Sequence, residues 1–201
     1  MPYIQAGFIL LLLCAQTRAE TGQLVFSLKT WEGDYASSDV PGGVQTSPVV
    51  STIYTIQADG TNLRKVVELG KNTDNPTFSP DGKWIYFQSN ASGHSRVYRC
   101  FPDGSRVENL TRGDHLDKRW QDAFGYVLAR DGTRLLYTVH DGSTGHVALA
   151  DADGRNARLL FPEVGYIYMG ALAPTANQIV VSGPARGYRL LIGDLADNEP
   201  R

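Results

Sequence analysis

The sequence is short of cysteine, of net charge and of helical periodicity, and each shortage excludes a class of protein. Only two cysteines occur in 201 residues, too few for a fold held by several disulfides or for a four-cysteine zinc site. A net charge of −2 provides no basic surface for nucleic acid or for an anionic membrane, so neither is expected as a partner. No segment places its apolar residues at a period of 3.6, so the sequence predicts an all-β fold.

The stretch 75–90, NPTFSPDGKWIYFQSN, joins a sharp turn to a strongly apolar run. Pro80 presets φ for a β-turn, Asp81 can bond its own backbone, and Gly82 accepts a positive φ without steric cost. The run WIYF at 84–87 does not alternate with polar residues, which is typical of a strand buried on both faces. The unit is therefore a strand, a tight turn and a central buried strand.

This unit recurs along the chain in two interleaved series of turns. The first series contains SPDGK at 79–83, ARDGT at 129–133 and APTAN at 173–177, each followed by a buried-strand run, and QLVF at 23–26 is a fourth copy of that run. The second series contains QADGTN at 57–62, FPDGSR at 101–106 and DADGRN at 151–156. Successive copies lie 44 or 50 residues apart with about four strands per period, which is typical of a β-propeller blade. A β-sandwich with common hairpin turns is the alternative, but sandwiches lack this repeated long unit.

The segment 75–85, with Val97-Tyr98 and Pro102-Asp103-Gly104 after it, resembles the repeat of the TolB-like β-propeller family, a WD40-like repeat called PD40. The resemblance covers about residues 50–195 and implies four-stranded antiparallel blades. About three to four blades are present, as part of a propeller of about six or more. The resemblance is specific for the repeat and weak for function, because many unrelated proteins carry it. The copy at 172–177 lacks the Asp-Gly pair, which weakens its turn signal but not its blade.

Residues 1–19 have the pattern of a cleavable signal peptide. The apolar core at 7–15 is too short to span a bilayer, and Thr17-Arg18-Ala19 offers small residues at the cleavage positions. Cleavage after Ala19 leaves 20–201 as the propeller domain, in the periplasm or secreted, without a transmembrane segment. Cys14 raises a lipoprotein alternative, although the leucine before it is larger than such signals use. Cys100 then remains as a small buried hydrophobe.

Counting strands from the repeats predicts three in the first blade, four in each of the next two, and three in the last. An inner strand is missing at the start and an outer strand at the end, so the propeller domain is expected to be incomplete. A small four-bladed closure is the alternative. Incomplete closure leaves strand edges and blade faces bare, which invites pairing with other chains.

Alternate connections of a blade lie at opposite ends of its strands, so both Asp-Gly series share one side of the propeller and the longer connections share the other. The longest connection, 29–51, is interpreted as either functional or disordered. The mixed charge of 111–123 fits either a ligand-binding rim or a solvated loop whose tryptophan packs against the fold. The aromatic residues of the last blade fit either a carbohydrate or peptide surface, or core packing. The candidate binding residues are Trp31, Asp34, Tyr35, His115, Asp117, Arg119, Trp120, Tyr166 and Arg186.

Catalytic and metal-ligating patterns are weak. His94, His115, His140 and His146 fall on the side of the long connections, but they lack a metal-binding spacing such as HExxH, so no metal or other cofactor is expected. Oligogalacturonate lyases are propellers that hold a divalent ion on histidines, so an enzyme of that type is the alternative. The propeller part of a prolyl-peptidase-like hydrolase is a second alternative. The chain has no G-x-S-x-G elbow, but a protein of that type carries its catalytic triad in a separate domain, so the missing elbow does not exclude it.

The sequence therefore predicts an exported, non-catalytic TolB-like propeller that binds an envelope protein in the periplasm. The resemblance implies a peptidoglycan-associated lipoprotein and inner-membrane Tol components as partners. The region between residue 20 and the first blade has no room for an amino-terminal domain of the TolB kind, which favours a related propeller with another role. A small-molecule or carbohydrate ligand stays open as a second partner class.

Overall fold

The computed structural model describes residues 16–18, 22–31, 49–70, 72–112, 116, 118–162, 164, 167, 169–174, 177–183 and 189–195. These residues form four antiparallel sheets, each made of strands that follow one another in the chain, and we call the sheets blades 1 to 4. The predicted all-β propeller of four-stranded antiparallel blades is thereby confirmed. The described residues contain no helix long and apolar enough to cross a membrane.

The strands run in chain order across each blade. Blade 1 contains β1 (Gln16–Arg18), β2 (Gln23–Trp31), β3 (Val49–Gln57) and β4 (Arg64–Val67). Blade 2 contains β5 (Thr73–Phe78), β6 (Ile85–Ser89), β7 (Arg96–Cys100) and β8 (Glu108–Asn109). Blade 3 contains β9 (Asp122–Leu128), β10 (Arg134–His140), β11 (Gly145–Asp151) and β12 (Arg158–Leu160). Blade 4 contains β13 (Met169–Leu172), β14 (Gln178–Gly183) and β15 (Arg189–Asp194).

Blade 1 differs from the sequence-based prediction in two places. It has four strands rather than three, because β1 pairs antiparallel with the start of β2. The long connection is also shorter than 29–51, because Lys29 pairs with Ser51 and Trp31 pairs with Val49, so only 32–48 joins the two strands. Backbone pairing needs no particular side-chain pattern, which is why neither extension left a readable signal in the sequence.

The Asp-Gly turns of the second series share one backbone conformation. Gly60, Gly104 and Gly154 have φ of +84°, +83° and +84°. In the first two of these turns the aspartate carboxylate accepts a hydrogen bond from the backbone N–H two residues on, over 2.9 Å from Asp59 to Thr61 and from Asp103 to Ser105. Side-chain and backbone hydrogen bonds from Thr61 lower the pKa of Asp59, and those from Ser105 lower that of Asp103. The conformation of these turns is thus set by the Asp-Gly pair itself, which is visible in the sequence.

The apolar runs of blades 2 and 3 are buried on both faces, as their lack of alternation predicted, whereas the runs of blades 1 and 4 are buried on one face and partly buried on the other. Ile85 and Phe87 pack against blade 1, whereas Tyr86, between them in the strand, packs against blade 3. Cys100 is fully buried between blades 1 and 2, as expected, and burial raises the pKa of its thiol to about 12. Each large apolar side chain buried in this way contributes about 1.5–3 kcal/mol, so the blade interfaces hold the fold together.

Polar contacts fasten each blade to the next at the ends of the strands. The hydroxyl of Tyr86 in blade 2 donates to the carbonyl of Ala152 in the second-series turn of blade 3, over 2.8 Å. The same kind of turn also sits directly on the last strand of the preceding blade. A Cβ on Gly104 would strike the carbonyl of Val66, and a Cβ on Gly154 would strike that of Leu110. Glycine is therefore needed there for close approach as well as for positive φ.

A comparison of Gly60 with Gly154 separates the need for positive φ from the need for close approach to the preceding blade. A Cβ on Gly60 would meet nothing within 4 Å, although its φ equals that of Gly154. Gly60→Ala is expected to lower the free energy of unfolding by about 1–2 kcal/mol through backbone strain alone. Gly154→Ala should lose that amount and about 1–3 kcal/mol more, because blades 2 and 3 must move apart. Urea denaturation of both variants measures the difference, and equal losses would contradict the packing role of Gly154.

Candidate functional site

The two sides of the propeller differ in their connections. The turn side carries both Asp-Gly series, whereas the loop side carries the connections within 68–72, 90–95, 110–121, 141–144 and 161–168 as far as they are described. Ligand sites are usually carried by variable loops that a rigid scaffold positions. A binding site is therefore expected on the loop side.

A polar cavity of about 250 Å³ opens on the loop side between blades 1 and 2. Its volume lies below the roughly 300–1,000 Å³ of drug-sized ligand sites, so it suits a single side chain or a small polar molecule. Every residue that lines it is charged or carries an amide or hydroxyl group: Lys29, Asn72, Asp74, Gln88, Ser89, Asn90 and Ser95. The residues come from the loop-side ends of neighbouring strands, which no single motif in the sequence could reveal.

Two of the three amide side chains of the cavity are held in place by backbone groups. The Oε1 of Gln88 accepts a hydrogen bond from the N–H of Gly125 in blade 3 over 2.6 Å. The Oδ1 of Asn90 accepts one from the N–H of Asn72 over 3.1 Å. Because both oxygens face backbone donors, the amide nitrogens are the groups that these side chains can offer to a ligand. The cavity thus presents fixed donors to an incoming carbonyl, hydroxyl or carboxylate oxygen.

One ion pair crosses the cavity between the blades. The Nζ of Lys29 on β2 lies 3.5 Å from Oδ2 of Asp74 on β5, and both side chains are largely buried. Such a pair contributes little where water screens it and more where a ligand excludes the water. A polar group that enters the cavity therefore meets one positive and one negative charge, which suits a peptide amide or another group with both donors and acceptors.

The rim continues into blade 3 through Asp122. Its Oδ1 accepts a hydrogen bond from the N–H of Ser95 over 2.8 Å and lies 3.7 Å from Nδ1 of His94. The N–H of Ala123 donates to the carbonyl of Ser95 over 2.8 Å. These bonds fix the 90–95 connection against the next blade, so the rim is rigid where it borders the cavity.

Arg119 and Trp120 are the predicted binding residues whose side chains the structure describes. Trp120 is buried among the side chains between blades 2 and 3, and the exposed guanidinium of Arg119 stacks 4.5 Å from its ring. His146 meets the same ring edge-on at 5.4 Å. Trp120 Nε1 and His146 Nδ1 are buried and make no hydrogen bond with any described residue. The structure thus places Arg119 at the surface with Trp120 beneath it, and their role in binding stays a prediction.

The other predicted binding residues lie outside what the structure describes. These are the side chain of Trp31 and the whole of Asp34, Tyr35, His115, Asp117, Tyr166 and Arg186. The cavity residues, by contrast, were missed by the sequence-based prediction. Asp74, Gln88 and Asn90 lie beside the turn and apolar run of 75–90, but they belong to no known motif. The sequence therefore offers no reason to select them.

Comparison with known proteins gives one family match that covers most of the chain. The model of the PD40 TolB β-propeller domain matches residues 44–193. The Tol-Pal system protein TolB of Anaeromyxobacter dehalogenans is 37% identical over 108 residues, which are 54% of this chain and 23% of that protein. The chain spans less than half the length of the curated relatives it matches.

Solved structures share the fold at low sequence identity. TolB from Acinetobacter baumannii aligns with a TM-score of 0.67 at 18% identity, over 94% of this chain and 42% of that one. An oligogalacturonate lyase in complex with manganese aligns with a TM-score of 0.70 at 11% identity, over 98% of this chain and 54% of that one. These alignments show the propeller fold, which binding proteins and enzymes share.

His146 provides a pH-dependent test of the packing beside Arg119. Burial, and secondarily the charge of Arg119, lowers the pKa of His146 against the opposing charge of Asp141. The unfolded chain, with a histidine pKa of about 6.5, then binds a proton that the folded chain resists. The free energy of unfolding should therefore fall as the pH drops below about 6.5.

Urea denaturation between neutral pH and about pH 5 measures this dependence. His146→Gln is expected to flatten it, whereas His94→Gln, which changes a half-exposed histidine, should leave the contribution of His146 in place. An unchanged slope in the His146 variant would mean that its imidazole titrates alike in the folded and unfolded chains.

Proposed function

Because this chain belongs to the TolB β-propeller family, we propose that it is an exported propeller that binds an envelope protein on its loop side and catalyses no reaction. The observation that carries this proposal is the contrast between the two sides of the propeller. The turn side repeats one short turn, whereas the loop side carries a polar cavity and a rigid rim. A rigid scaffold with varied connections on one side is suited to recognition.

The chemistry of the cavity favours a peptide segment of a partner. Lys29, Asp74 and the amides of Gln88 and Asn90 offer donors and acceptors without an aromatic platform. The exposed guanidinium of Arg119 adds a positive charge on the same side, stacked on Trp120 and thereby restricted in its motion. A partner with a polar loop for the cavity and an acidic residue for Arg119 would match both features.

The relative from Anaeromyxobacter dehalogenans is named as a protein of the Tol-Pal system, which suggests an envelope partner. Pal, the peptidoglycan-associated lipoprotein, is therefore the first candidate, and the Pal of the organism that encodes this chain is the natural probe. A periplasmic location fits this partner and fits the signal peptide predicted for residues 1–19.

Binding of purified Pal, measured by calorimetry, tests the proposal with charge reversals on opposite sides. Lys29→Glu and Arg119→Glu should each weaken binding about tenfold, or about 1.4 kcal/mol. Arg155→Glu is the matched control, because Arg155 is an exposed arginine in a turn-side loop. Equal loss of affinity in all three variants would contradict binding on the loop side. No binding of Pal by the unchanged chain would contradict Pal as the partner.

Replacement of 32–48 by a short Gly-Ser linker tests the long connection in the same assay. The paired ends of β2 and β3 are kept, so the fold should survive. Loss of Pal binding would support the predicted role of Asp34 and Tyr35, and unchanged binding would restrict the site to the cavity and its rim.

Export makes a separate prediction about the amino terminus. The protein recovered from the periplasm is expected to begin at Glu20, which intact-mass measurement can show. This cleavage would also remove β1 and leave the first edge of β2 unpaired. Recovery of the chain with residues 1–19 attached in the cytoplasm would refute the signal peptide, whatever the outcome of the Pal experiment.

A further inference from the structure

The turn-side end of blade 2 carries two aromatic rings where the repeat has polar residues. The rings of Trp84 and Phe101 lie 4.5 Å apart between centroids, and the two residues flank the paired Ile85 and Cys100. The same places hold pairs of polar residues in the other three blades: Gln23 with Gln57, Arg134 with Asp151, and Gln178 with Asp194. The repeat is therefore built without aromatic rings at these places, and those of blade 2 need an explanation of their own.

Arg106, beside these rings, is a second departure from the repeat. Each of the three second-series turns ends on a residue with positive φ, which is +55° at Asn62, +54° at Arg106 and +53° at Asn156. Asparagine adopts this conformation more readily than a long side chain does, so Arg106 stores backbone strain that asparagine would reduce. Strained residues of this kind cluster at sites that bind ligands or partners.

Arg99 and Glu108 connect the rings to Arg106. Glu108 Oε2 accepts a hydrogen bond from Nε of Arg99 over 2.8 Å, and its Oε1 accepts one from Nε of Arg106 over 2.9 Å. The guanidinium of Arg99 lies 4.0 Å from the centroid of the Trp84 ring, and that of Arg106 lies 5.2 Å from it. The matching places in blades 1 and 3 hold other residue types: Thr55 and Leu149 for Arg99, and Arg64 and Arg158 for Glu108. We call these five mutually contacting residues of blade 2 the turn-side cluster: Trp84, Arg99, Phe101, Arg106 and Glu108.

The turn-side cluster presents the guanidinium of Arg106 to the solvent. The side chain of Arg99 is 13% exposed, whereas that of Arg106 is 58% exposed. Because Nε of Arg106 is bonded to Glu108, the two terminal nitrogens are the donors that Arg106 can offer to a ligand. The N–H groups of a guanidinium match the two oxygens of a carboxylate. Two arginines and one glutamate also leave the cluster with one positive charge, which favours an anionic group.

An apolar surface borders this guanidinium. Val107, the next residue in the chain, is 42% exposed, and the ring of Phe101 lies 5.3 Å from the guanidinium of Arg106. The carboxylate of Asp103, in the same turn, is bound by the N–H and the hydroxyl of Ser105, over 2.9 and 2.6 Å, rather than by Arg106. A ligand that fits both features has a carboxylate and an apolar group close together.

We propose that the turn-side cluster is a second interaction site, which takes an extended acidic segment of another protein. An aspartate or glutamate of the segment binds the terminal nitrogens of Arg106, and a large apolar side chain two residues away packs on Val107. Side chains two residues apart in an extended segment lie on the same side, so one segment can make both contacts. The cluster and the polar cavity are on opposite sides of the propeller, so this segment can bind while the loop side is occupied.

A matched pair of peptides tests whether the site recognises a carboxylate. The probe acetyl-Gly-Glu-Ser-Leu-Gly-amide carries its acidic and apolar side chains two residues apart, and the control peptide has glutamine in place of glutamate. In an NMR titration of the full chain, followed on the indole N–H of Trp84, the glutamate peptide should bind saturably. The glutamine peptide should bind about tenfold more weakly, because it lacks the charge. Equal affinities, or no saturable binding of the glutamate peptide, would overturn the proposal.

The variant Arg106→Asn tests the site itself. It gives the turn of blade 2 the residue that the turns of blades 1 and 3 have, so the melting temperature should not fall. Its affinity for the glutamate peptide should fall about tenfold. Arg155→Asn, which removes an exposed arginine from the turn of blade 3, is the matched control and should keep that affinity.

Three results with these variants would count against the site. Unchanged binding by the Arg106 variant would remove Arg106 from it, and an equal loss in the Arg155 variant would reduce the effect to general charge attraction. A melting temperature several degrees lower in the Arg106 variant would assign this arginine to packing. None of these results depends on whether Pal binds the loop side.

Discussion

The structure depends on one constraint: each blade is a sheet whose two faces are both apolar, so no blade is stable alone. Tyr86 faces blade 3 while its neighbours Ile85 and Phe87 face blade 1, and all three are buried. A sheet with a single apolar face would need one partner, but this one needs two. The packing of each blade on the next and the rigid presentation of the loop side both follow from that requirement.

The fold was readable from the sequence because its strongest signals are local. A run such as WIYF predicts its own burial without reference to distant residues. An Asp-Gly turn predicts its own conformation, because the glycine accepts positive φ and the aspartate accepts a local hydrogen bond. β1 and the paired ends of the 29–51 segment were not readable, since their strand character comes from pairing with β2 and not from their own side chains. The hairpin of blade 4 lacks its Asp-Gly pair, yet the N–H of Ala173 still donates the closing hydrogen bond to the carbonyl of Gln178, as its counterparts do in blades 2 and 3.

The candidate site was much less readable than the fold. Lys29, Asp74 and Gln88 lie on three different strands, and only the register and the contact between blades 1 and 2 bring them together. The sequence instead drew attention to Trp120 within a loop of mixed charge, and the structure places that ring beneath Arg119 in the contact with blade 3. Polar side chains like those of the cavity occur all along the chain, so spatial grouping, not residue type, marks the candidate site.

The packing of the second-series turns of blades 2 and 3 on the preceding blade has a consequence for the order of synthesis. The last strand of blade 1, around Val66, is completed by Gly104, and the last strand of blade 2, which ends before Leu110, is completed by Gly154. A ribosome adds roughly 5–20 residues per second, so each blade emerges and then waits for several seconds for the turn that seals it. The most recently made blade of a growing chain is therefore expected to have a last strand without the turn that later packs on it.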